Sequence, residues 1–469
     1  MASPVIPFVV ATALFMENTD STILATALPT IANDLGLDPI ALKLAVTSYL
    51  VSLAVFIPVS GWVADRVGAR TTFRAALLVF MGASIGCAFS NSLGEFVTWR
   101  AVQGVGGAMM VPVGRMVVIR AVPREELVRA LAFIAMPALI GPMLGPPLGG
   151  LIVTVADWRW IFFVNIPIGI LGLILATLYI PDLRDEAVPP LDVKGFILSA
   201  LGFGGIILGL AMSGRRIAPS EVAIACIAVG IVSLALYVRH ALTVPRPLLD
   251  IRLLSLRTFE AGIAGGLFFR FGIGASAFLL PLMLQLAFGM DALQSGLITF
   301  AGAVGALAVK PIAQPILRRF GFRSVLIVNG VVAAASLMAY GLFTAATPHV
   351  VLLAVLLIGG LLRSLQFTSL NALTYAEVEK PQVGSATSIA SVAQQVSVSF
   401  GVALGAMVLE FSEHLRGHTA PQTEDFAAAF FFVGAVSMVS ALLMLRLPAG
   451  AGDELSGRTI PARQEAGGS

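Results

Sequence analysis

Residues 16–29 read MENTDSTILATALP, and within them two carboxylates, Glu17 and Asp20, interrupt a run that is otherwise apolar or small from about Pro7 to Ile31. A run of that length suits a helix crossing a hydrocarbon core about 30 Å thick, which takes about 20 apolar residues. An ionised carboxylate is costly there, so each acid must face protein or water, pair with a cation, or take up a proton. Three residues apart, the two share one helix face and lie about 4.5 Å apart along its axis. All three solutions make the stretch sensitive to protonation.

The whole chain has the same character. Of 469 residues 58% are hydrophobic and 12% charged, against about 25% charged in soluble domains. The mean hydropathy is +0.94, and apolar runs recur from end to end. This predicts an all-α polytopic membrane protein, because a membrane barrel would show short alternating segments instead. The net charge of +3 comes from basic residues spread over short loops, which suits membrane orientation and gives no patch for nucleic acid. Cys87 and Cys226 both fall inside apolar runs and read as small buried hydrophobes, so neither a disulfide framework nor a metal site is expected. No basic stretch precedes the first apolar run, which also carries two acids. It is expected to be a retained helix rather than a signal peptide.

Apolar runs between charged or Pro/Gly-rich breaks number fourteen, starting near residues 7, 44, 73, 95, 127, 160, 192, 220, 259, 293, 322, 348, 383 and 425. The loops holding Arg66, Arg70, Arg74, Arg120, Arg124, Arg129, Arg318, Arg319 and Arg323 are far more basic than the alternate loops with Lys43, Arg159, Arg215, Arg216 and Arg416. The bias places both termini in the cytoplasm. ADRVGAR (64–70) and LRRFGFR (317–323) share Arg–x–Gly–x–Arg, which suggests that six helices repeat as six. The expected architecture is a bundle over 1–181, an inserted hairpin with linkers over 182–245, a second bundle over 246–447 and a disordered tail over 448–469. Duplicated halves around a midplane site are a transporter plan. EFSEHLRGHTAPQTED (410–425) reads as a solvated outer loop.

Several stretches carry candidate chemistry. WRAVQGVGGAMMVP (99–112) puts Arg100 within reach of Asp20, either as a proton switch or as a permanent pair tying two helices. In GPMLGPPLGG (141–150), Gly141, Gly145 and Gly149 form a flat stripe, interleaved with Pro142, Pro146 and Pro147, which reads as a hinge or seal. Asp65 in GWVADRVGARTTFR (61–74) stands at the cytoplasmic mouth beside Arg66, Gly68 and Arg70, where a contact can exist in one conformation only. Arg270, Lys310 and Arg363 are intramembrane cations, Lys310 near enough to the cytoplasmic end to snorkel. With Gln103, Gln366, Asn371 and Gln394, the residues Arg270 and Arg363 are the expected lining of a substrate cavity, interhelical bonding being the other use for the amides.

Together these stretches resemble the major facilitator superfamily, and within it the fourteen-helix EmrB/QacA-type drug:proton antiporters, most closely the exporters of the MdtD kind. The resemblance spans the chain apart from its tail and includes WRWIFFVNIPIG (158–169). It implies two six-helix bundles plus a central two-helix insertion, alternating access, Asp20 and Arg100 in proton coupling, Asp65 in the gate and Gly145–Pro146 at the hinge. Glu17 lies outside the usual signature, and Arg318 replaces an acid in the second-half loop. No GxxxxGK[ST] pattern occurs, so an ion gradient rather than ATP is the expected driver, with no cofactor. His240 has no acid at catalytic spacing and His349 stands alone, so no enzyme is expected. The expectation is a monomer in the bacterial inner membrane exporting hydrophobic or amphipathic compounds against protons. The excess of deep cations over deep acids leaves an organic anion or metal chelate, such as a citrate complex, as the alternative cargo.

Overall fold

The computed structural model describes residues 5–122, 124–181, 184, 188, 190–213, 219–379, 382–448 and 450–452, and in the fifth helix not the side chains at 124–129, 131, 132, 134–139 and 142. Arg215, Arg216, Lys380, the 453–469 part of the tail and the Pro142 side chain therefore lie outside the described residues. No strand occurs among those described. The helices are Val5–Asp34 (α1), Lys43–Val67 (α2), Ala69–Ala88 (α3), Leu93–Ala121 (α4), Arg124–Val155 (α5), Trp160–Phe163 (α6), Asn165–Tyr179 (α7), Val193–Met212 (α8) and Ser220–Thr243 (α9). Then come Arg257–Leu282 (α10), Ala292–Ala308 (α11), Lys310–Phe320 (α12), Phe322–Tyr340 (α13), His349–Thr374 (α14), Val383–Arg416 (α15) and Thr423–Met444 (α16).

Eleven helical stretches among the described residues are long and apolar enough to span a membrane, and α11 with α12, bent by 52° at their junction, makes up to twelve. The 30-residue α1 falls short of that apolarity because Glu17, Asn18 and Asp20 sit in its middle, yet it and the 32-residue α5 have ample length to cross. This is consistent with the fourteen crossings expected.

Within 5–179, α1 packs on α5 and α7, and α4 packs on α2 and α3; within 257–444, α10 packs on α15 and α16, α11 on α14 and α13 on α16. The two groups meet through α5 on α11 and α2 on α15. Helices α8 and α9 pair with each other, and α8 lies against both α2 and α15, bridging the groups. The hairpin's far end is held by His240 Nε2 at 2.7 Å from Asp192 Oδ1 and by the Tyr237 hydroxyl, which donates to Leu249 O and accepts from Leu249 N. His240 thus has an acid partner that sequence spacing could not reveal, and the pair is a tether.

The two matching loops adopt matching backbones. Gly68 joins α2 to α3 at φ 103, ψ 136, and Gly321 joins α12 to α13 at φ 76, ψ 157, each returning its N–H to the carbonyl four residues earlier. Such a conformation suits glycine almost alone, since any Cβ is strained there. The shared Arg–x–Gly–x–Arg pattern therefore marks the same corner built twice.

The contacts between the groups that involve Lys43, Gly150 and Gly296 lie beside the 35–42, 156–159, 288–291 and 417–422 loops. A Cβ on Gly150 would meet the Ala292 carbonyl, and one on Gly296 the Pro146 carbonyl, so α5 and α11 touch backbone to backbone. Lys43, expected as a loop charge, is instead wholly buried as the first residue of α2. Its Nζ lies 2.7 Å from Glu410 Oε1 of α15 and 3.1 Å from the Ser213 carbonyl that ends α8. The solvated loop expected from 410 is corrected too. Helix α15 runs on to Arg416, burying Glu410 and Glu413, while buried Asp425 accepts from Ser412 and contacts His418 Nδ1 at 2.7 Å. A long helix could extend past the apolar run because these acids find partners inside the protein.

Gly68→Ala and Gly321→Ala should each cost about 1–3 kcal/mol, read as a lower thermal midpoint of the purified protein. Gly61→Ala, whose Cβ meets nothing within 4 Å, should leave the midpoint unchanged or slightly higher. Lys43→Met should destabilise by about 3–5 kcal/mol, whereas Lys43→Met with Glu410→Met should recover much of that loss in the same melting experiment.

Candidate functional site

The site is built on α4. Ser92 caps this helix by accepting from the Glu95 N–H, and Arg100 follows two turns in, about 10 Å along the axis. Three glycines then allow close approach from two sides. A Cβ on Gly104 would lie 2.5 Å from the Tyr49 carbonyl, and one on Gly107 3.0 Å from the Tyr49 hydroxyl, so α2 seats Tyr49 directly on α4. Gly106 does the same for α3, with Phe80 N 2.8 Å from its would-be Cβ. The glycines of RAVQGVGG are packing positions, and their result is that the Arg100 guanidinium lies 4.4 Å over the Tyr49 ring.

Arg100 is 1% exposed and Asp20 4%. Arg100 Nη1 donates to Asp20 Oδ2 at 2.7 Å; Gln103 Nε2 and Asn165 Nδ2 donate to Asp20 Oδ1 at 2.9 and 2.7 Å. Ser84 Oγ accepts from Gln103 at 2.8 Å and from Asn165 at 3.2 Å, joining α3 to the group. Gln103 also accepts from Arg100 through Oε1. Four helices thus converge on one carboxylate, and charge-assisted bonds of this kind are the strong ones. Glu17, one turn away on α1, is treated differently. Among the described residues its only hydrogen bond is to the Tyr49 hydroxyl, which donates to Oε1 at 3.1 Å.

The opposite face of α1 meets the glycine stripe. Cβ atoms on Gly141, Gly145 and Gly149 would strike Asn18, Thr22 and Ile23 respectively. The stripe therefore fixes α1 within its own half, and the joint with the other half falls to Gly150 and the Pro146–Pro147 backbone next to it. Gln103, expected in a substrate cavity, is wholly buried in the carboxylate cluster. Gln366 shows the interhelical use: with no exposure, it accepts from Asn329 at 2.9 Å and donates to Leu326 O at 3.0 Å, bracing α13 against α14. Gln394 lies half-buried on α15.

The second-half cations are arranged around α14. Arg270 Nη2 donates to Asn371 Oδ1 at 2.6 Å, and its guanidinium lies 5.5 Å from the Phe367 ring centroid. Its buried Nε and Nη1 have no hydrogen-bond partner among the described residues. Lys310, opening α12 at the bend, donates to Thr368 at 3.0 Å, and Arg363 donates to the Tyr340 hydroxyl. At the basic corner, Asp65 Oδ1 accepts from Arg120 Nη2 of α4 at 2.9 Å, while Arg66 is exposed and Arg70 half-buried. Arg120 was expected only as a loop charge.

Tyr49, Ser84 and Asn165 carry no charge and were not singled out as site residues. Asn165 had a signal, as an amide within the apolar run of WRWIFFVNIPIG. Tyr49 and Ser84 had none, because only helix packing turns them towards the acids.

Comparison with known proteins identifies the family. The sequence profile described as Major Facilitator Superfamily matches residues 10–274 and 262–462. Two relatives, each named "Putative multidrug resistance protein MdtD", come from Escherichia coli O6:H1 (37% identical, covering 94% of both chains) and Klebsiella pneumoniae (35% identical, covering 98% of both). Among solved structures, a D-xylose-proton symporter superposes with TM-score 0.70 at 16% identity, covering 96% of this chain and 99% of the other. The human organic anion transporter MFSD10 gives 0.59 at 13% identity, covering 94% and 99%. With a profile match over nearly its whole length, close relatives of the same extent and the same helical fold, the chain belongs to the major facilitator superfamily, a family of membrane transporters.

Proposed function

We propose that this protein is a proton-coupled antiporter that exports hydrophobic or amphipathic compounds by alternating access. The observation that carries the reading is the Asp20–Arg100 pair, held at 2.7 Å between α1 and α4 with almost no exposure. The names of the MdtD relatives support a drug-like cargo. Bundles over 1–181 and 246–447, with the 182–245 hairpin between them, would act as a monomer that rocks about the central site. The loop charges support cytoplasmic termini, and the bacterial relatives support the inner membrane. In that orientation the α5–α11 joint and the Lys43–Glu410 pair close the outer face. Helices α4 and α14 form no packing interface with the opposite half among the described residues. That supports an inward-facing conformation, with Asp65 bound to its own half through Arg120.

The driving force follows from electrostatics, as each charge crossing the field is worth about 2.3 kcal/mol per 100 mV. A proton can shift the balance between two facings only by binding one of them more tightly. The cluster of Glu17, Asp20 and Arg100 is where that difference would arise.

A second reading has its own observation. Arg270 is buried with two unbonded nitrogens, and Arg270, Lys310 and Arg363 have no carboxylate partner among the described residues. That favours an anionic cargo such as a citrate complex.

Asp20→Asn should fold but lose efflux driven by a pH gradient in proteoliposomes; full efflux from this variant would remove Asp20 from coupling. Flux of ethidium and of citrate, measured side by side, separates the two cargo readings. Arg270→Ala should abolish citrate movement if the cargo is an anion and spare ethidium movement if it is a drug.

A further inference from the structure

We propose that Glu17 is the carboxylate that takes up and releases the proton, and that Asp20 stays ionised as the fixed anion around which the site is assembled. The inference rests on the proton-coupled reading above and assigns its steps. The two acids differ in what a proton would displace. Asp20 accepts from three donors on both oxygens, one of them the Arg100 guanidinium. Protonating it would strip at least one bond and leave a buried cation without its partner, which is strongly unfavourable.

Glu17 loses less on protonation. It makes no ion pair among the described residues, and its single partner is the Tyr49 hydroxyl. A hydroxyl serves either state, donating to the carboxylate or accepting from the carboxylic acid. The proton adds to one Glu17 oxygen, the Tyr49 O–H turns from donor to acceptor, and no other bond changes. Glu17 also retains slight exposure, 9%, whereas Asp20 is closed in.

The groups facing Glu17 fit this role. Asp20 is its charged neighbour on α1, and Arg100 and Arg115 of α4 are the cations whose fields reach it. Arg115 is exposed although it stands within α4, on the side that the proposed orientation opens to the cytoplasm. From α2 the facing group is Tyr49; α5 meets the opposite face of α1 with glycines, and the neutral Asn165 of α7 bonds Asp20 instead. Tyr49 links the two acids physically, since its hydroxyl holds Glu17 while its ring carries the Arg100 guanidinium. A change in the first contact is thereby transmitted to the second. Glu17 is the proton-loading group, Tyr49 a positioning residue, and Asp20 the anchor.

The test is infrared titration of the full chain reconstituted in lipid, following the carbonyl band of protonated carboxyl groups. The wild type should show a band that disappears as the pH is raised. Glu17→Gln should lack this band, Asp20→Asn should keep it, and Tyr49→Phe should move its midpoint to higher pH because a donor to the ionised form is gone. A band that survives in Glu17→Gln, one lost only in Asp20→Asn, or no titrating band in the wild type would overturn the assignment. The reading needs no transported compound. Failure of the flux assays would thus sink the exporter proposal, while the spectrum alone decides the role of Glu17.

Discussion

An ionised carboxylate in the hydrocarbon layer has no water to solvate it, so the protein must supply the missing shell. Asp20 obtains it from Arg100, Gln103 and Asn165, with Ser84 holding two of these donors in turn. Much of the first half follows from that demand. Arg100 and Gln103 must come from α4, Asn165 from α7 and Ser84 from α3, and α1 must run between them. Gly104, Gly106 and Gly107 remove the side chains that would keep α2 and α3 away from α4, while Gly141, Gly145 and Gly149 press α5 onto the back of α1.

The halves answer the same demand differently. The first encloses its acids among donors and matches Asp20 to a cation. The second buries Arg270 against an amide and an aromatic ring and leaves two of its nitrogens unbonded among the described residues. Across the joint, Lys43 and Glu410 satisfy each other, and Lys43 also reaches the end of the inserted hairpin. A buried pair spanning two bodies holds them together only while they touch, which makes it a state-dependent contact. The Asp65–Arg120 pair is the counterpart at the other end of α2 and lies within one half.

Charge placed against apolarity made part of the site legible in advance. Asp20 in the first run and Arg100 at matching depth could be paired without coordinates, because a carboxylate in hydrocarbon needs a cation, a polar neighbour or a proton. The corner glycines were legible for a similar reason, since Gly68 and Gly321 occupy a backbone region that other residues enter only with strain. Other parts were not. Lys43 looked like a loop residue because it starts its apolar run, and Glu410, its partner on α15, looked like part of a solvated loop. Gln103 and Gln366 looked like cavity residues, since an amide's sequence position does not say whether it bonds a ligand or a neighbouring helix.

The sequence by itself determined that the chain spans the membrane repeatedly, that one corner occurs twice, and that Asp20 and Arg100 need each other. These follow from local rules of hydropathy, backbone strain and desolvation, which act residue by residue. Only the tertiary structure decided that Tyr49 joins Glu17 to Arg100, that Asn165 and Ser84 complete the shell of Asp20, and that Glu17 has one hydrogen bond among the described residues. Those facts depend on the rotation and depth of helices packed side by side, set by summed contacts among residues distant in the chain. Neither a residue's type nor its spacing records that sum.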